Sequence, residues 1–274
     1  MVGKILENGL SDMILSIIIV SYKSKNLVRE SILSIQKLKF VFEYEIIVVD
    51  NNSKYGVEKM IKENFLNIKF IQSSKNVGMG AGNNLGMRVA QGKYILILNP
   101  DTLVLKGSIE KLIHFMDTHS RSGIVAPMLI NPDYTDQPTV HRFPSFLMPL
   151  YRRTFLGSTK KGREYLSYYT VAKLPKDKPS KVDWVFAPVF LIRNDLARKL
   201  GGYDERFFLF FEDTDICRRV WQAGFEVWYA PLAKIVHFPH RLSAHNVGLY
   251  SLFKRFTWYH IISWFKYFWK WRDK

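Results

Sequence analysis

The most constraining feature of this chain is a series of short apolar, β-branched runs, each followed by a segment of helical spacing. Ile14–Val20, Glu45–Val49, Ile68–Ile71, Tyr94–Leu98 and Ile124–Pro127 read as strands. Continuous rather than alternating hydrophobicity marks a strand covered on both faces. Between them, residues 24–38 carry Leu27, Ile32, Ile35 and Leu38 at helical spacing. Residues 55–65, 107–118 and a Gly-rich segment running to Gln91 also read as helices. Strand–helix alternation of this kind builds an α/β fold, a Rossmann-like and mostly parallel sheet flanked by helices. The alternation stops over 129–181, which reads as an irregular basic insertion with helix near 146–170. A strand at Trp184–Arg193, an aromatic loop at 203–211, a helix at 213–223 and short strands near 226–230 and 234–238 follow, and the tail, 248–272, reads as an aromatic helix.

Charge is unevenly placed. The net charge is +16, and 13 of those charges come from two stretches: 141–181, with ten Lys/Arg against two acids, and 250–274, with six against one. Such basic surfaces attract phosphate, on lipid, on a lipid pyrophosphate or on nucleic acid, when they are not merely solvated. No nucleic-acid-binding motif is present, and the carboxylate clusters oppose a nucleic-acid partner. The single cysteine, Cys217, excludes an internal disulfide and fits a reducing, cytoplasmic compartment. The apolar run Met13–Val20 follows Glu7 and Asp12 rather than a basic stretch, so it does not read as a signal peptide.

In an open parallel sheet, ligands bind beyond the carboxyl ends of the strands. Three polar clusters fall there: Ser21-Tyr22, Asp50-Asn51-Asn52-Ser53 and Asn99-Pro100-Asp101-Thr102. Asp50 could accept the ring N–H of a pyrimidine, or it could close a turn. Asn76–Gly86, with Gly78 and Asn83, could approach a phosphate, although it lacks the Lys-Ser/Thr pair of a P-loop; tight helix–sheet packing is the alternative. Asp101 could hold Mg2+ or Mn2+ against a diphosphate, or form an ordinary turn. In Phe207–Asp215, five apolar residues precede Glu212, Asp213 and Asp215. An apolar surround strengthens a carboxylate as a base, and acids also suit the first turn of a helix. Asp213 reads as the base and Asp215 as structural. His237, after a short strand, is structural or a ligand, with His240 and His245 nearby.

Taken in order, these segments resemble the family 2 inverting glycosyltransferases of the GT-A fold, rhamnosyltransferase-like members in particular. The matching segments are Ser16–Tyr22, Val49–Ser53, Asn76–Gly86, Asn99–Thr102, Gly201–Phe208, Phe211–Asp215 and Ile235–His237. The resemblance implies a GT-A domain over 1–247. It implies donor contacts from Ser21, Tyr22, Asp50, Asn52, Asn76, Gly78, Asn83, Asn99, Asp101 and Glu212. Asp213 would be the catalytic base. Asp101 and His237 would hold the divalent metal, Mg2+ or Mn2+. The donor would be a nucleotide-diphosphate sugar, with dTDP-rhamnose leading, and the acceptor a polysaccharide or a polyprenyl-pyrophosphate-linked glycan. Asn99 stands where the family's Asp-x-Asp motif has its first acid, and Phe186-Ala187-Pro188-Val189 replaces a Gly-containing strand.

The tail, 248–274, is expected to be an amphipathic aromatic/basic helix at the membrane interface, with Lys266, Lys270 and Lys274 as a basic stripe. Packing on the domain or in a homodimer is the alternative. The resulting expectation is an enzyme peripheral at the inner face of the cell membrane. A nucleotidyltransferase and an inactive membrane scaffold are the rival functions.

Overall fold

The computed structural model describes residues 13–186, 188–238 and 255–273. His240, His245, Ala187 and the expected boundary at 247 lie outside the described residues.

Strands β1 (Leu15–Ser21), β2 (Tyr44–Asp50), β3 (Lys69–Gln72) and β4 (Tyr94–Leu98) are parallel. Helices α1 (Lys25–Gln36), α2 (Val57–Asn64) and α3 (Met79–Met87) connect them. Successive side chains of β1 enter opposite cores: Ile18 and Val20 join one cluster, and Leu15, Ile17 and Ile19 the other. That is why the run carries no polar alternation.

After β4 come β5 (Thr102–Val104), α4 (Ser108–Thr118) and β6 (Ser122–Ile130). The insertion contributes β7 (Val140–His141), α5 (Met148–Arg153), a 3-10 turn at Phe155–Ser158, α6 (Lys160–Tyr169) and β8 (Ser180–Lys181). The chain continues through β9 (Trp184–Val185), β10 (Val189–Arg193), α7 (Asn194–Lys199), α8 (Glu212–Gln222), β11 (Glu226–His237) and α9 (Arg255–Lys270). The main sheet runs β3-β2-β1-β4-β10-β6-β11-β5, with β8 on β11.

The α/β architecture matches the expectation, with local differences that have physical causes. The strand expected at 184–193 is two strands. Pro188 has no N–H to donate to a ladder, so β9 leaves to pair with β7, and β10 enters the main sheet antiparallel to β4 and β6. The two short strands expected near 226–238 are one, β11, whose register against β6 shifts between Ala230 and Lys234, around Pro231. The insertion carries the expected helix. It is tied to the segment entering β9 by Arg142 on Asp183 (3.1 Å) and by the Trp184 indole N–H donating to the Arg142 carbonyl (2.8 Å).

The tail helix corrects one expectation. Lys266 and Lys270 do not form a free basic stripe. Lys270 Nζ lies 2.6 Å from Asp215 and 2.8 Å from Asp204, and Lys266 donates to the Arg206 carbonyl. These contacts dock α9 on the 203–215 segment. Tyr267 and Trp271 are buried, and Ser263 donates to the Leu209 carbonyl. The aromatic residues outnumber what one buried stripe can hold, so Trp258, Phe265 and Trp269 remain exposed on the outer face.

Candidate active site

Parallel register places Ser21 beside Asp50 at the carboxyl ends of β1 and β2. Both are buried, whereas Tyr22 is half exposed, with Lys23 Nζ 5.5 Å from its ring centroid. Asp50 closes its own turn: Oδ1 accepts from the Ser53 hydroxyl at 2.5 Å and Oδ2 from the Ser53 N–H at 3.2 Å. Each carboxylate oxygen keeps a further lone pair, so the turn does not saturate Asp50. Asn52 sits at φ +57° and donates to the Ser74 carbonyl. Its neighbour Asn51, given no separate role from the sequence, grips the Gly-rich segment, accepting from the Val77 N–H and donating to the Gly78 carbonyl, both at 2.9 Å.

The glycines of that segment serve close packing. Gly78 has φ +91°, and a Cβ there would lie 2.2 Å from the Phe208 carbonyl oxygen. A Cβ on Gly86 would lie 2.6 Å from Ile18 in β1. The Met79 N–H donates to the Phe208 carbonyl, and Asn76 Oδ1 accepts from the Gly78 N–H. Asn83 donates to the Met79 carbonyl, and Asn84 exchanges hydrogen bonds with the Tyr203 backbone. Asn76–Gly86 therefore locks α3 to the aromatic loop. Gly78→Ala is expected to cost about 1–3 kcal/mol from the Gly-only backbone region alone, more with the clash, and a urea midpoint measures it.

Asp101 and His237 meet across β5 and β11. His237 Nε2 stands 3.6 Å from Asp101 Oδ2, beyond hydrogen-bonding distance. Asp101 Oδ1 is buried without a hydrogen-bond partner. A buried, unsatisfied carboxylate oxygen beside an imidazole nitrogen fits a hard or borderline divalent cation. Asn99 lies apart in role: its N–H donates to the Pro188 carbonyl, and its own carbonyl accepts from Thr102. No group of three or more His, Cys, Asp or Glu side chains suited to a metal occurs among the described residues.

At the start of α8, two successive non-glycine residues, Phe210 and Phe211, have φ of +68° and +66°. This costly turn brings Glu212 and Asp213 to the helix N-terminus beside the Gly-rich segment, and Glu212 Cβ comes within 3.4 Å of a Cβ on Gly80. Glu212 is buried with Oε2 unpaired. Burial, and then the neighbouring Asp213 carboxylate, push its pKa up to about 8. A protonated Glu212 removes a like charge from beside Asp213. Asp213 accepts from the Thr214 N–H at 2.7 Å. Asp215, fully buried, is occupied by Arg219, Lys270 and the Trp271 indole.

The Glu212 shift has a stability consequence. The raised pKa belongs to the folded state, so stability is lost as pH rises from the unfolded value of 4.5 to about 8. Glu212→Gln should flatten that loss. The test is the urea midpoint of both proteins below and above this window.

The family model described as "Glycosyl transferase family 2" matches residues 16–173, more than half of the chain. The chain belongs to glycosyl transferase family 2. Among its relatives, the N-acetylglucosaminyl-diphospho-decaprenol L-rhamnosyltransferase of Mycobacterium tuberculosis is 26% identical over 215 residues, covering 74% of this chain and 68% of that protein. Rhamnosyltransferase WbbL of Escherichia coli is 27% identical over 236 residues, covering 82% and 81%. The crystal structure of GalNAc-T7 with UDP, GalNAc and Mn2+ shares the fold of this transferase, with a TM-score of 0.62 at 16% identity. It covers 83% of this chain, which spans 43% of the solved chain's length.

Proposed function

We propose that this family 2 transferase moves a sugar from a nucleoside-diphosphate donor to a lipid-linked glycan acceptor with inversion at the anomeric carbon. L-Rhamnose is the sugar that the names of the two rhamnosyltransferase relatives suggest, and dTDP-rhamnose is our leading donor. The Asp101–His237 pair carries the reading: two ligating groups face each other, with one carboxylate oxygen buried and unpaired. Asp101 and His237 would hold a divalent cation, Mg2+ or Mn2+. When bound, the cation supplies positive charge to the departing nucleoside diphosphate.

The chain's own residues do the rest. Asp213 takes the proton of the acceptor hydroxyl as that oxygen bonds to the anomeric carbon and the bond from that carbon to the diphosphate oxygen breaks. One displacement inverts the configuration. Asp50 retains acceptor capacity for a pyrimidine N–H, and Ser21, Tyr22, Asn52, Asn76, Gly78, Asn83, Asn99 and Glu212 form or brace the surrounding donor side. The test is a thermal-shift titration of dTDP and UDP with Mn2+ or EDTA. Stabilisation that requires Mn2+ and disappears in Asp101→Asn supports the reading; nucleotide binding indifferent to both would sink the metal site.

We place the enzyme peripherally at the inner face of the membrane. No described helix is long and apolar enough to cross a membrane. Phe146, Leu147, Leu150 and Phe155 of the insertion and Phe265 and Trp269 of α9 are exposed, and the two segments meet at the Phe146–Trp264 ring contact at 4.1 Å. Such a surface, in a chain with 13 net positive charges on these two segments, suits an anionic headgroup layer. Deleting α9 would also strip Asp215 of Lys270 and Trp271, so point changes test the surface better. Phe265→Ser with Trp269→Ser should reduce flotation with anionic vesicles while leaving Tm within a few degrees; unchanged flotation would count against this surface.

A further inference from the structure

We infer that Gln137 is a positioning residue that fixes the tautomer of His237, holding the proton on Nδ1 and leaving the Nε2 lone pair turned toward Asp101. Its purpose rests on the metal reading above; its geometry does not.

Which end of the Gln137 amide is oxygen follows from its neighbours. The side-chain nitrogen lies 2.8 Å from the His237 backbone carbonyl and 2.8 Å from Asn131 Oδ1. A carbonyl oxygen only accepts, so the amide nitrogen must face it. Asn131 is oriented in turn: its Nδ2 donates to the Thr135 hydroxyl at 2.8 Å, and that hydroxyl gives its own hydrogen to Asp133 Oδ1 at 2.6 Å. A carboxylate at one end and a backbone carbonyl at the other thus set the polarity of the whole relay. Gln137 Oε1 is left facing His237 Nδ1 at 2.8 Å. An amide oxygen can only accept, so Nδ1 carries the hydrogen.

Neutral imidazole has one N–H. Nε2 therefore carries the lone pair, 3.6 Å from Asp101 Oδ2. Two acceptors facing each other with no proton between them repel, and a cation relieves that repulsion. The relay is built by backbone. Residues 131–135 close a turn through the Asn131 N–H on the Thr135 carbonyl (2.7 Å), and the Gln137 N–H donates to the Leu129 carbonyl (2.9 Å). Gln137 thus lies in the basic insertion yet is wired to the strand that presents His237. A hydrogen-bond partner of this kind sets ligand orientation and basicity, and losing one typically weakens metal binding by about 10–100-fold.

The experiment is nitrogen NMR of the histidine side chains in the full, metal-free chain at alkaline pH, for wild type and Gln137→Leu. Mn2+ affinity in the presence of UDP, by electron paramagnetic resonance, is measured alongside. His237 should be the Nδ1–H tautomer in wild type and should shift toward Nε2–H in Gln137→Leu, with Mn2+ bound about 10–100-fold more weakly and metal-free UDP binding unchanged. An Nε2–H tautomer in wild type, or a Gln137→Leu protein that keeps both tautomer and affinity, overturns the inference. His237→Ala separates this from the metal reading: if that change leaves Mn2+ affinity intact, the metal reading fails whatever the tautomer is.

Discussion

Asp213→Asn is expected to lower the transfer rate by about 100- to 10,000-fold, while donor and metal affinity stay near the wild-type values. The amide keeps the shape of the side chain, and its oxygen can still accept the Thr214 N–H that Asp213 accepts at 2.7 Å. It cannot take a proton from the acceptor hydroxyl. Glu212 is the internal control. It is the adjacent carboxylate, equally buried, and its pKa is pushed up to about 8 by burial and by Asp213. At neutral pH it is already protonated, so Glu212→Gln should leave far more activity. Steady-state rates with Kd for the nucleotide measured separately distinguish the outcomes. Parallel loss of rate and nucleotide binding in Asp213→Asn would make Asp213 a structural or ligand-holding residue instead of the base.

Asp215→Ala should be the most destabilising single change near the site. Its carboxylate is fully buried and receives Arg219 at 2.9 Å, Lys270 at 2.6 Å and the Trp271 indole at 2.9 Å. Removing it takes the fully buried acceptor that these three groups share, although Lys270 keeps Asp204 and Arg219 keeps the Leu200 and Gly202 carbonyls. Breaking a buried pair in this way costs about 3–5 kcal/mol, a fall in Tm of roughly 10 °C for a chain of this size. The loss should begin at α9, because Lys270 and Trp271 lie at its end. Hydrogen exchange in Asp215→Ala should therefore show α9 exchanging before the sheet. A melting profile indistinguishable from wild type would mean that the Tyr267–Phe211 packing, with the Lys270–Asp204, Lys266–Arg206 and Ser263–Leu209 contacts, holds α9 without Asp215.

The two aspartates explain what could and could not be read from the chain. Phe211–Asp215 stands out in the sequence because three acids after five apolar residues are uncommon, and the structural part expected of Asp215 agrees with its pairing to Arg219, Lys270 and Trp271. The strands were legible because burial on both faces leaves an unbroken apolar run, as in β1 and β4. The direction of β10 was not, since nothing local in Val189–Arg193 records which neighbour a strand pairs with. The docking of α9 was hidden for a related reason. Lys266 and Lys270 look like a solvated stripe until Asp204, Arg206 and Asp215 are brought to them from ~60 residues away. Gln137 left no signal either. It is one polar residue in an irregular segment, and its partner His237 is 100 residues distant. The glycines of Asn76–Gly86 were visible, but their purpose depended on Phe208 and Ile18, which only the fold supplies.

Sugar transfer from a nucleotide donor is read out by nucleoside-diphosphate release. Purified protein would be incubated with a panel of nucleotide sugars, dTDP-rhamnose among them, with a polyprenyl-pyrophosphate-linked acceptor and with Mg2+, Mn2+ or EDTA. The expected result is metal-dependent, acceptor-stimulated release of nucleoside diphosphate from one pyrimidine-diphosphate sugar, lost in Asp213→Asn. Release of pyrophosphate, or no turnover with any donor by a folded protein that also fails to bind nucleotide, would contradict it.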